Sequence, residues 1–374
     1  MISPFSRPDL GGVESHINKL TNYLCNKRKL YVTLVTYMPL NSSQRAAAHE
    51  KIGSLEIIRM PWFGKGWFRK LERFFPLNMF YLFPGLFFRA LLVYLRRHRE
   101  FDVIHSHGFI AGAVAKVLTS IHKKRSVIST HAIYSLSPGS FKSQVFKWLL
   151  VGFDKILTVG EPSSQEIIRI GIPKEKVQVH PNWIEFIDPP PTRAIARRVF
   201  DLRENDFVVL FVGRMIGIKG ELVLLEVARA CEVDITFVFV GDGPESTKIA
   251  EAAKDHSKVL HLGKVADENM ISLYAAADLF VSPVLYEEGF ATVYLESLSV
   301  GTPVITARRG CLPFFLDDQV SELLSEVNPD VLLKTILKHF KNRSLLVEKR
   351  DLCEKYARKM FSENNASIIL SSYS

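Results

Sequence analysis

Cysteine is scarce in this sequence, and its placement excludes two classes of protein. The 374 residues include four cysteines, which are Cys25, Cys231, Cys311 and Cys353. They are far apart and form no CxxC pair, so they match neither a zinc-site spacing nor the disulfide framework of a small secreted protein. The sequence therefore favours a reducing, cytosolic compartment.

Three other signals are missing. Met1 is followed by polar and turn-forming residues rather than by an apolar core, so no cleavable signal peptide is expected. No predicted strand is followed by a complete G-x-G-x-x-G fingerprint, which disfavours hydride transfer with a bound dinucleotide. No recognised nucleic-acid module is present. We therefore predict a cytoplasmic protein without a nucleic-acid partner.

One apolar stretch is long enough to suggest a membrane span. Residues 74–95 contain a single charged side chain, Arg89. Pro76 and Pro84 interrupt the stretch, whereas a spanning helix needs about 20 continuous apolar residues. We therefore reject a span and expect a loop followed by a buried helix from about Gly85 to Arg97. Interfacial contact with a bilayer is the alternative.

Basic and aromatic side chains are mixed just upstream of that stretch. They are Trp62, Phe63, Lys65, Trp67, Phe68, Arg69, Lys70, Arg73, Phe74 and Phe75. Such a mixture is typical of a segment that lies on an anionic bilayer. The net charge is +9, and residues 1–186 hold about 26 Lys and Arg against about 12 Asp and Glu. An anionic membrane surface and a phosphorylated substrate both suit this charge.

From residue 30 onward, β-branched and aromatic runs alternate with longer amphipathic stretches. This alternation predicts an α/β fold in which βα units wind around two parallel sheets. The predicted strands are Leu30–Tyr37, Leu55–Met60, Asp102–Ser106, Ser126–Thr130, Lys155–Val159, Phe207–Val212, Ile235–Val240, Lys258–Leu262, Leu279–Val281 and Pro303–Ile305.

Prolines between the two halves suggest the domain boundary. Pro181-Asn182 and the triple proline at 189–191 break any regular element, because proline fixes φ and lacks a backbone donor. We predict an N-terminal domain over residues 1–183, a linker over 184–191 and a C-terminal domain over 192–356. A C-terminal helix of about 357–374 is expected to pack back on the first domain.

Two glutamates flank the start of a predicted helix in the second half. Glu288 is expected in the preceding loop and Glu296 about two turns inside the helix, so that both face one cleft and accept hydrogen bonds from sugar hydroxyls. The amides at the helix start offer an anion site, and they belong to Gly289, Phe290, Ala291 and Thr292. On spacing alone, such a pair is more typical of a solvated helix face.

Two glycine-rich segments lie after predicted strands of the same half. Gly213 and Gly220 bound the first segment, which carries Arg214 and Lys219 five residues apart, a pair of cations that suits a diphosphate. The second segment is Gly241-Asp242-Gly243-Pro244, whose glycines would let a ligand approach the backbone.

Taken together, these motifs resemble the retaining glycosyltransferases of family four, whose two-domain architecture is called GT-B. The resemblance covers nearly the whole chain in order. Its motifs are Pro8–Glu14, Asp102–His107, Thr130-His131, Pro181-Asn182, Gly213–Gly220, Gly241–Pro244 and the pair Glu288 and Glu296. The early Gly-Gly-Val-Glu-Ser-His run is particularly similar to enzymes that glycosylate phosphatidylinositol.

The resemblance implies two Rossmann-like, doubly wound domains that face a central cleft. It also implies that Arg214 and Lys219 hold the donor diphosphate and offset the charge on the leaving nucleotide, without a metal ion. Glu296 would accept from the ribose hydroxyls, and Glu288 would contact the donor sugar.

Further roles follow from the same resemblance. Gly11 and Gly12 would bring backbone amides close to the phosphates and the acceptor, and His131 would lie near the anomeric carbon. The glycines Gly213, Gly241 and Gly243 would line the donor site. Retention would proceed by a front-face route in which the leaving phosphate oxygen takes the acceptor proton.

The histidines also have a simpler interpretation. A histidine at a strand end is commonly a structural residue, and this alternative stays open for His131. His105 and His107 share one face of a strand, but only His107 lies at the carboxyl end, where ligands of open α/β sheets bind. We assign His107 to the acceptor side. For Glu14 we prefer a structural role at the positive end of a helix dipole.

The sequence departs from the family pattern at three places. Only Met1-Ile2-Ser3 precede the first proline loop, where relatives have a full apolar strand. Gly310-Cys311-Leu312-Pro313-Phe314 stands where Gly-Gly-x-Pro-Glu is common. Ala291 replaces a frequent glycine. These changes leave the identity of the donor open.

The leading hypothesis is a metal-independent glycosyltransferase without a cofactor. It would move a hexosyl group from a nucleotide sugar such as GDP-mannose, UDP-glucose or UDP-GlcNAc to a lipid-linked, glycan or other membrane-proximal acceptor. The protein would be cytoplasmic or peripheral on the cytosolic face of a membrane. The alternatives are a sugar-nucleotide epimerase and a non-catalytic sugar-nucleotide-binding subunit.

Overall fold

The computed structural model describes residues 1–9, 11–40, 44–64, 67, 71 and 75–374. The chain divides into two compact units. The first comprises residues 1–182 and 364–374, and the second comprises residues 183–363. The predicted linker and residues 357–363 therefore belong to the second unit, and only the chain from Asn364 onward joins the first.

The first unit contains seven named strands and six helices among its described residues. The strands are β1 (Val32–Tyr37), β2 (His49–Ile52), β3 (Leu55–Met60), β4 (Val103–His107), β5 (Arg125–Thr130), β6 (Lys155–Thr158) and β7 (Val177–Val179). The helices are α1 (Gly12–Asn22), α2 (Phe75–Arg97), α3 (Gly108–Ile121), α4 (Phe141–Leu150), α5 (Glu161–Arg169) and the C-terminal α14 (Asn364–Ser371).

The first three residues of the chain complete the sheet of this unit. The strand orders are β2-β3-β1 and β4-β5-β6-β7, and Ile2 forms parallel bridges to Val35 in β1 and to Ser106 in β4. The Ile2 amide donates to the His105 carbonyl at 2.9 Å, and the Ser3 amide donates to the Val35 carbonyl at 3.1 Å. Met1-Ile2-Ser3 therefore take the place of the apolar first strand.

We expected Pro84 to interrupt the helix, and this prediction is wrong. Helix α2 runs through Pro84 without a break. The Tyr37 hydroxyl of β1 bridges the gap that proline creates, because it accepts from the Leu86 amide at 2.7 Å and donates to the Leu82 carbonyl. Gly85 allows this close approach, since a Cβ there would lie 2.8 Å from the same hydroxyl. A side chain from another element thus supplies hydrogen bonds to the helix backbone next to the proline.

Helix α2 packs one face into the core and exposes another. Tyr81, Leu82, Leu86, Ala90 and Tyr94 are buried, whereas several large apolar side chains of the same helix are exposed. Among the described residues, the segment Leu77–Glu100 is the one that is long and apolar enough to cross a membrane by length and composition. Proline therefore does not exclude a span, and the buried residues show that one face of the helix packs against the first unit.

Part of the predicted basic and aromatic segment can be placed. Trp62 packs against the core of the first unit. The Phe63 ring contacts Trp62 at a tilt, and the Trp67 ring contacts Phe63 edge to face. Lys65, Phe68, Arg69, Lys70, Arg73 and Phe74 lie outside the described residues.

The second unit is a six-stranded parallel sheet covered by helices. Its strands are β8 (Phe207–Val212), β9 (Ile235–Val240), β10 (Val259–Gly263), β11 (Leu279–Ser282), β12 (Val304–Ala307) and β13 (Ser321–Leu324). Its helices are α6 (Arg193–Val199), α7 (Glu221–Ala230), α8 (Ser246–Asp255), α9 (Asp267–Ala276), α10 (Thr292–Ser299), α11 (Leu312–Phe315), α12 (Pro329–Lys341) and α13 (Arg343–Met360). The predicted α/β fold is confirmed.

The strand order of the second unit places its site. The order is β10-β9-β8-β11-β12-β13, so the direction of winding reverses between β8 and β11. Ligands of open α/β sheets bind at the carboxyl ends of the strands at such a switch point. Phe207, Phe211 and Phe237 are fully buried behind it and hold the strands in register.

A buried ion pair fixes the start of β8. Asp278 accepts from Arg197 at 2.8 Å and from the Val208 amide at 2.7 Å, and Arg193 also donates to it. Arg197 is only 1% exposed and also donates to the Ala276 carbonyl at 3.0 Å. Because each buried charge is paired and hydrogen-bonded, this cluster locks α6 to the sheet.

Candidate active site

The loops after β8 and β11 bring together residues from two of the sequence motifs. Arg214 and Lys219 follow β8, and Glu288 follows β11, on the two sides of the switch point. The Leu285 amide donates to the Ile218 carbonyl at 2.9 Å and ties the two loops to each other. Two cations from one loop and a carboxylate from the other therefore lie at the carboxyl ends of these strands.

Lys219 and Glu288 form the centre of this site. The Lys219 Nζ atom lies 2.6 Å from Glu288 Oε2, and the two side chains are 19% and 10% exposed. The Tyr286 hydroxyl donates to the same carboxylate oxygen at 2.5 Å and accepts from Lys219. The sequence analysis missed Tyr286, since a tyrosine two residues before Glu288 belongs to no spacing pattern. These three side chains form one network.

The electrostatics keep the proton on the Tyr286 hydroxyl at neutral pH. Burial, and then the neighbouring Glu288 carboxylate, raise the pKa of Tyr286 well above its ordinary value. The Arg214 guanidinium acts weakly in the opposite direction, which places its charge near the same hydroxyl. Tyr286 therefore stays a donor to Glu288, and Arg214 is exposed at the edge of the network.

Glu296 is the neighbour of a different tyrosine, Tyr274. Helix α10 begins at Thr292, because residues 287–291 are not helical, so Glu296 lies about one turn inside the helix rather than two. The half-buried Glu296 carboxylate is close to the Tyr274 hydroxyl. Burial is the main cause that raises the pKa of Tyr274, and the Glu296 carboxylate raises it further. In the part of the chain that the structure describes, Glu296 is not a member of the Lys219 network.

The start of α10 offers backbone rather than side chains. Ala291 is the N-cap residue, and its side chain makes no capping hydrogen bond. The backbone amides from Gly289 to Thr292 are therefore the donors available there. The Phe290 ring is 4.4 Å from the Phe315 ring and 5.3 Å from the Phe361 ring in a buried cluster. The predicted donor contact of Phe290 would therefore involve its backbone.

The glycines after β8 and β9 let two loops touch. Gly241 has φ of 133°, and a Cβ there would lie 1.9 Å from the Gly213 carbonyl oxygen. A Cβ at Gly243 would lie 2.2 Å from the Met215 carbonyl oxygen. The Met215 amide also donates to the Asp242 carbonyl at 3.0 Å. These glycines thus support the loop that carries Arg214.

The segment that departs from the family pattern supports Glu288. The Cys311 amide donates to the Glu288 carbonyl at 2.9 Å, and the Gly310 amide donates to Glu287 Oε2 at 2.6 Å. Gly310 has φ of 58°, and a Cβ there would lie 2.1 Å from the Glu288 carbonyl oxygen. Gly310 is therefore required at this position, because any side chain there would collide with the backbone of Glu288.

The first unit has its own switch point, between Met1–Ser3 and β4. His107 ends β4 and His131 follows β5, and the distance from His107 Nδ1 to His131 Nε2 is 3.2 Å. Burial is the main cause that lowers the pKa of both imidazoles well below the ordinary value, and neighbouring histidines lower it further. Both rings are therefore neutral at pH 7.

His105 has a structural role. Its Nδ1 atom lies 2.7 Å from the Tyr373 hydroxyl, and its Nε2 atom lies 2.8 Å from Ser129 Oγ. Both ring nitrogens are thus used within the unit. Since Tyr373 follows α14, this contact also fastens the C-terminal residues to the sheet.

Gly11 and Gly12 form the start of α1. Gly12 is the first helical residue, and Gly11 is its N-cap. A Cβ at Gly11 would lie 2.4 Å from Glu14 Oε2, so the buried Glu14 carboxylate folds back over the helix start. That position favours the structural role of Glu14, because a carboxylate stabilises the positive end of the helix dipole. Leu10 lies outside the described residues.

Two further histidines lie beside His107 and His131, and the sequence analysis gave them no role. The His16 ring is 4.9 Å from the His131 ring and 5.4 Å from the His180 ring, measured between centroids. His16 Nδ1 lies 3.1 Å from Asn182 Oδ1. The signal for His16 was present in the Gly-Gly-Val-Glu-Ser-His run, and that for Asn182 in Pro181-Asn182.

Comparisons with known proteins agree with this division. A model described as Glycosyltransferase Family 4 matches residues 10–186, and a model described as Glycosyl transferases group 1 matches residues 192–360. The first half of the chain is a Glycosyltransferase Family 4 domain, and the second half is a group 1 glycosyltransferase domain. The resemblance drawn from the motifs is thereby confirmed, and the chain is a glycosyltransferase.

One curated relative and two solved structures are informative. The relative is a phosphatidylinositol N-acetylglucosaminyltransferase component from Arabidopsis thaliana, 26% identical over 350 residues, covering 90% of this chain and 73% of the relative. Sucrose-phosphate synthase of Thermosynechococcus elongatus has a TM-score of 0.80 at 18% identity, covering 96% of this chain and 92% of that one. HepE of Anabaena in complex with UDP-glucose has a TM-score of 0.76 at 18% identity, covering 99% and 98%. The fold of this glycosyltransferase is thus of the GT-B type.

Proposed function

We propose that this glycosyltransferase moves a hexosyl group from a nucleotide-diphosphate sugar to a lipid-linked acceptor, with retention and without a metal ion in the transfer step. The observation that carries the proposal is the network of Lys219, Tyr286 and Glu288 at the switch point of the second unit, with Arg214 beside it. Two cations at the switch point would suit the negative charge of a donor diphosphate.

The hydrogen bonds of Lys219 leave one proton for the donor. An ammonium group has three donors, and the contacts with Glu288 and Tyr286 use two of them. The third can reach a phosphate oxygen while the other two hold the side chain in place. Arg214 adds a second, permanently charged group that can bind phosphate in a bidentate manner. Together they would stabilise charge on the leaving nucleotide.

Glu288 then serves two purposes in this proposal. Both of its described hydrogen bonds go to Oε2, so Oε1 can accept from a hydroxyl of the donor sugar. The backbone amides at the start of α10 would bind the phosphates, and Glu296 would accept from the ribose. His131 and His107, neutral because of burial, would contact the reacting sugar and the acceptor as hydrogen-bonding groups rather than as charges.

The acceptor is proposed to be an inositol phospholipid. The support is the Arabidopsis relative, whose name states transfer of N-acetylglucosamine to phosphatidylinositol. On the molecule itself, α2 exposes large apolar side chains, among them Phe80 at 75% and Phe88 at 64%. An exposed apolar face on a helix that follows a basic segment in the sequence would place the protein on the cytosolic surface of an anionic bilayer.

Substitutions in the second unit test donor use. Arg214→Ala, Lys219→Met and Glu296→Ala should each lower kcat for donor-dependent transfer, the first two by about 10²–10³-fold, as for loss of one stabilising donor. Lys338→Ala is the matched control, since Lys338 also pairs with a glutamate, Glu322, at 2.9 Å. Full turnover in both Arg214→Ala and Lys219→Met would reject the assignment.

A vesicle-pelleting assay tests the membrane part. Binding to vesicles with anionic lipid should exceed binding to neutral vesicles and should weaken with salt. Phe80→Ser combined with Phe88→Ser should reduce it, whereas Val347→Ser, at an exposed position of α13, should not. Equal binding to both kinds of vesicle would remove the membrane from the proposal.

Product analysis separates the alternatives. An epimerase changes the donor in the absence of any acceptor, whereas the proposed transferase leaves the sugar of the donor unchanged until an acceptor is added. Tight nucleotide-sugar binding with neither transfer nor hydrolysis would instead indicate a binding subunit.

A further inference from the structure

Three histidines of the first unit converge from three different elements. His16 lies in α1, His107 ends β4 and His131 follows β5. One ring nitrogen from each lies within 4.8 Å of the others. His16 and His107 are buried, and His131 is half-buried at the edge of the cluster. We call these residues the three-histidine cluster.

The spacing of the cluster suits a tetrahedral metal ion. Zinc binds imidazole nitrogens at about 2.0–2.1 Å, so two nitrogens in a tetrahedral site lie roughly 3.4 Å apart. His107 Nδ1 and His131 Nε2 are already 3.2 Å apart. A small rotation of one imidazole would bring the nitrogen of His16 to the same distance. Three ligands also leave a fourth position for water.

His16 has the partner that a metal-binding imidazole needs. Asn182 Oδ1 can only accept a hydrogen bond, so the proton of His16 lies on Nδ1, 3.1 Å away. The tautomer with Nδ1–H carries a lone pair on Nε2, the other ring nitrogen. Metal-binding histidines commonly donate their second ring N–H to an oxygen in this way, which fixes the ring orientation.

His107 faces His131 through Nδ1, and the residue is 1% exposed, so a metal ion bound between these imidazoles would be largely shielded from water.

We propose that the three-histidine cluster binds a divalent transition metal ion, with zinc as the best match, and that this binding inhibits glycosyl transfer. Imidazole ligands suit zinc, copper and nickel, whereas magnesium and calcium prefer oxygen. The ion would occupy a ring nitrogen of His131, a residue that the proposed function places in contact with the reacting sugar. The binding part stands alone, and the inhibition part rests on the proposed function.

Cobalt binding tests the site without an activity measurement. The full chain, first treated with a chelator, is titrated with Co²⁺, which gives strong visible absorption in a tetrahedral site. We expect one Co²⁺ per chain, displaced by Zn²⁺. His16→Gln and His131→Gln should each weaken Co²⁺ binding by at least about 100-fold. Each variant removes a direct ligand, and loss of a partner that only supports a ligand already costs about 10–100-fold.

Two further variants make this test specific. Asn182→Leu should weaken Co²⁺ binding by about 10–100-fold, because it removes only the partner of His16. His122→Gln should leave binding unchanged, since His122 stacks on His98 at 4.0 Å in a separate pair that has no third imidazole among the described residues. Absent tetrahedral absorption, or equal binding in wild type and His131→Gln, would overturn the site. His131 is half-buried, so its variant tests the site even if His16→Gln fails to fold.

Zinc inhibition of transfer tests the consequence. Zinc should inhibit the wild-type enzyme, and Asn182→Leu should require at least about 10-fold more zinc for the same inhibition, in line with its weaker metal binding. Cobalt binding without any detectable transfer by the metal-free enzyme would reject the proposed function and leave the site standing. Transfer that continues with zinc bound would overturn the inhibition.

Discussion

Replacing Tyr286 by phenylalanine isolates the network that orients Lys219. The change removes one hydroxyl, which donates to Glu288 Oε2 and accepts from Lys219, and leaves the direct contact of 2.6 Å between those two side chains. A hydrogen bond to a charged group contributes about 1.5–3 kcal/mol. Because Lys219 keeps its ion pair, we take the lower half of that range.

A loss of about 1.5–2 kcal/mol corresponds to roughly a 10–30-fold decrease in kcat/KM for the donor. The freed Lys219 side chain should also hold the diphosphate less well, so donor affinity measured by titration calorimetry should decrease with it. Tyr356→Phe is the control, since Tyr356 donates to the Phe315 carbonyl at 2.9 Å in the same unit but away from the network. It should leave kcat/KM unchanged.

The result that would refute this reasoning is specific. If Tyr286→Phe keeps wild-type kcat/KM and donor affinity while Lys219→Met abolishes transfer, then Lys219 acts without the orientation that the network provides. If both tyrosine variants lose activity equally, the effect comes from general destabilisation, and thermal unfolding of the two variants would show it.

Three other predictions concern stability. Arg197→Met should lower the free energy of unfolding by about 3–5 kcal/mol in urea titrations, because it leaves Asp278 buried and partly unpaired; a change below about 1 kcal/mol would contradict this. Gly241→Ala should lower the melting temperature and donor affinity together, since its Cβ would lie 1.9 Å from the Gly213 carbonyl oxygen, and unchanged values would show that the loops move apart. Burial lowers the pKa of His180 from 6.5 to about 3. The unfolded chain therefore binds the proton first, so the free energy of unfolding should fall as pH decreases from about 6.5 toward about 3. His180→Leu should reduce this fall, and an identical pH dependence in the variant would contradict the cause.

The sheets were predictable because their signal is local. Buried parallel strands are continuous apolar and β-branched runs, and the ten predicted strands lie within two residues of observed ones. The strands that were missed are β2, β7 and β13, which are short and contain polar residues such as those of His49–Ile52. Their place in the sheet depends on pairing with a neighbour rather than on their own composition.

The course of α2 was not predictable from the sequence alone. Pro84 disrupts a helix by its own chemistry, and the Tyr37 hydroxyl that repairs it comes from a strand far upstream in the sequence. Likewise, Met1-Ile2-Ser3 is too short to read as a strand, and it becomes one because β1 and β4 lie on both sides of Ile2. In both cases tertiary contacts override local propensity.

The candidate site was predicted only in part, because tertiary contacts determine some of its members. The motif spacing pointed to Arg214, Lys219 and Glu288, and the strand order explains why these residues lie around one switch point. Tyr286 carries no spacing signal, and its role follows only from the ion pair that it completes. Glu296 was placed one turn too deep, since the residues before α10 are not helical.

The most direct test of the central claim is a crystal structure of the protein with an intact nucleotide-diphosphate sugar. We predict pyrophosphate oxygens within hydrogen-bond distance of Lys219 Nζ and the Arg214 guanidinium, with a sugar hydroxyl on Glu288. A donor bound in the second unit without contact to Lys219 or Arg214 would contradict the account.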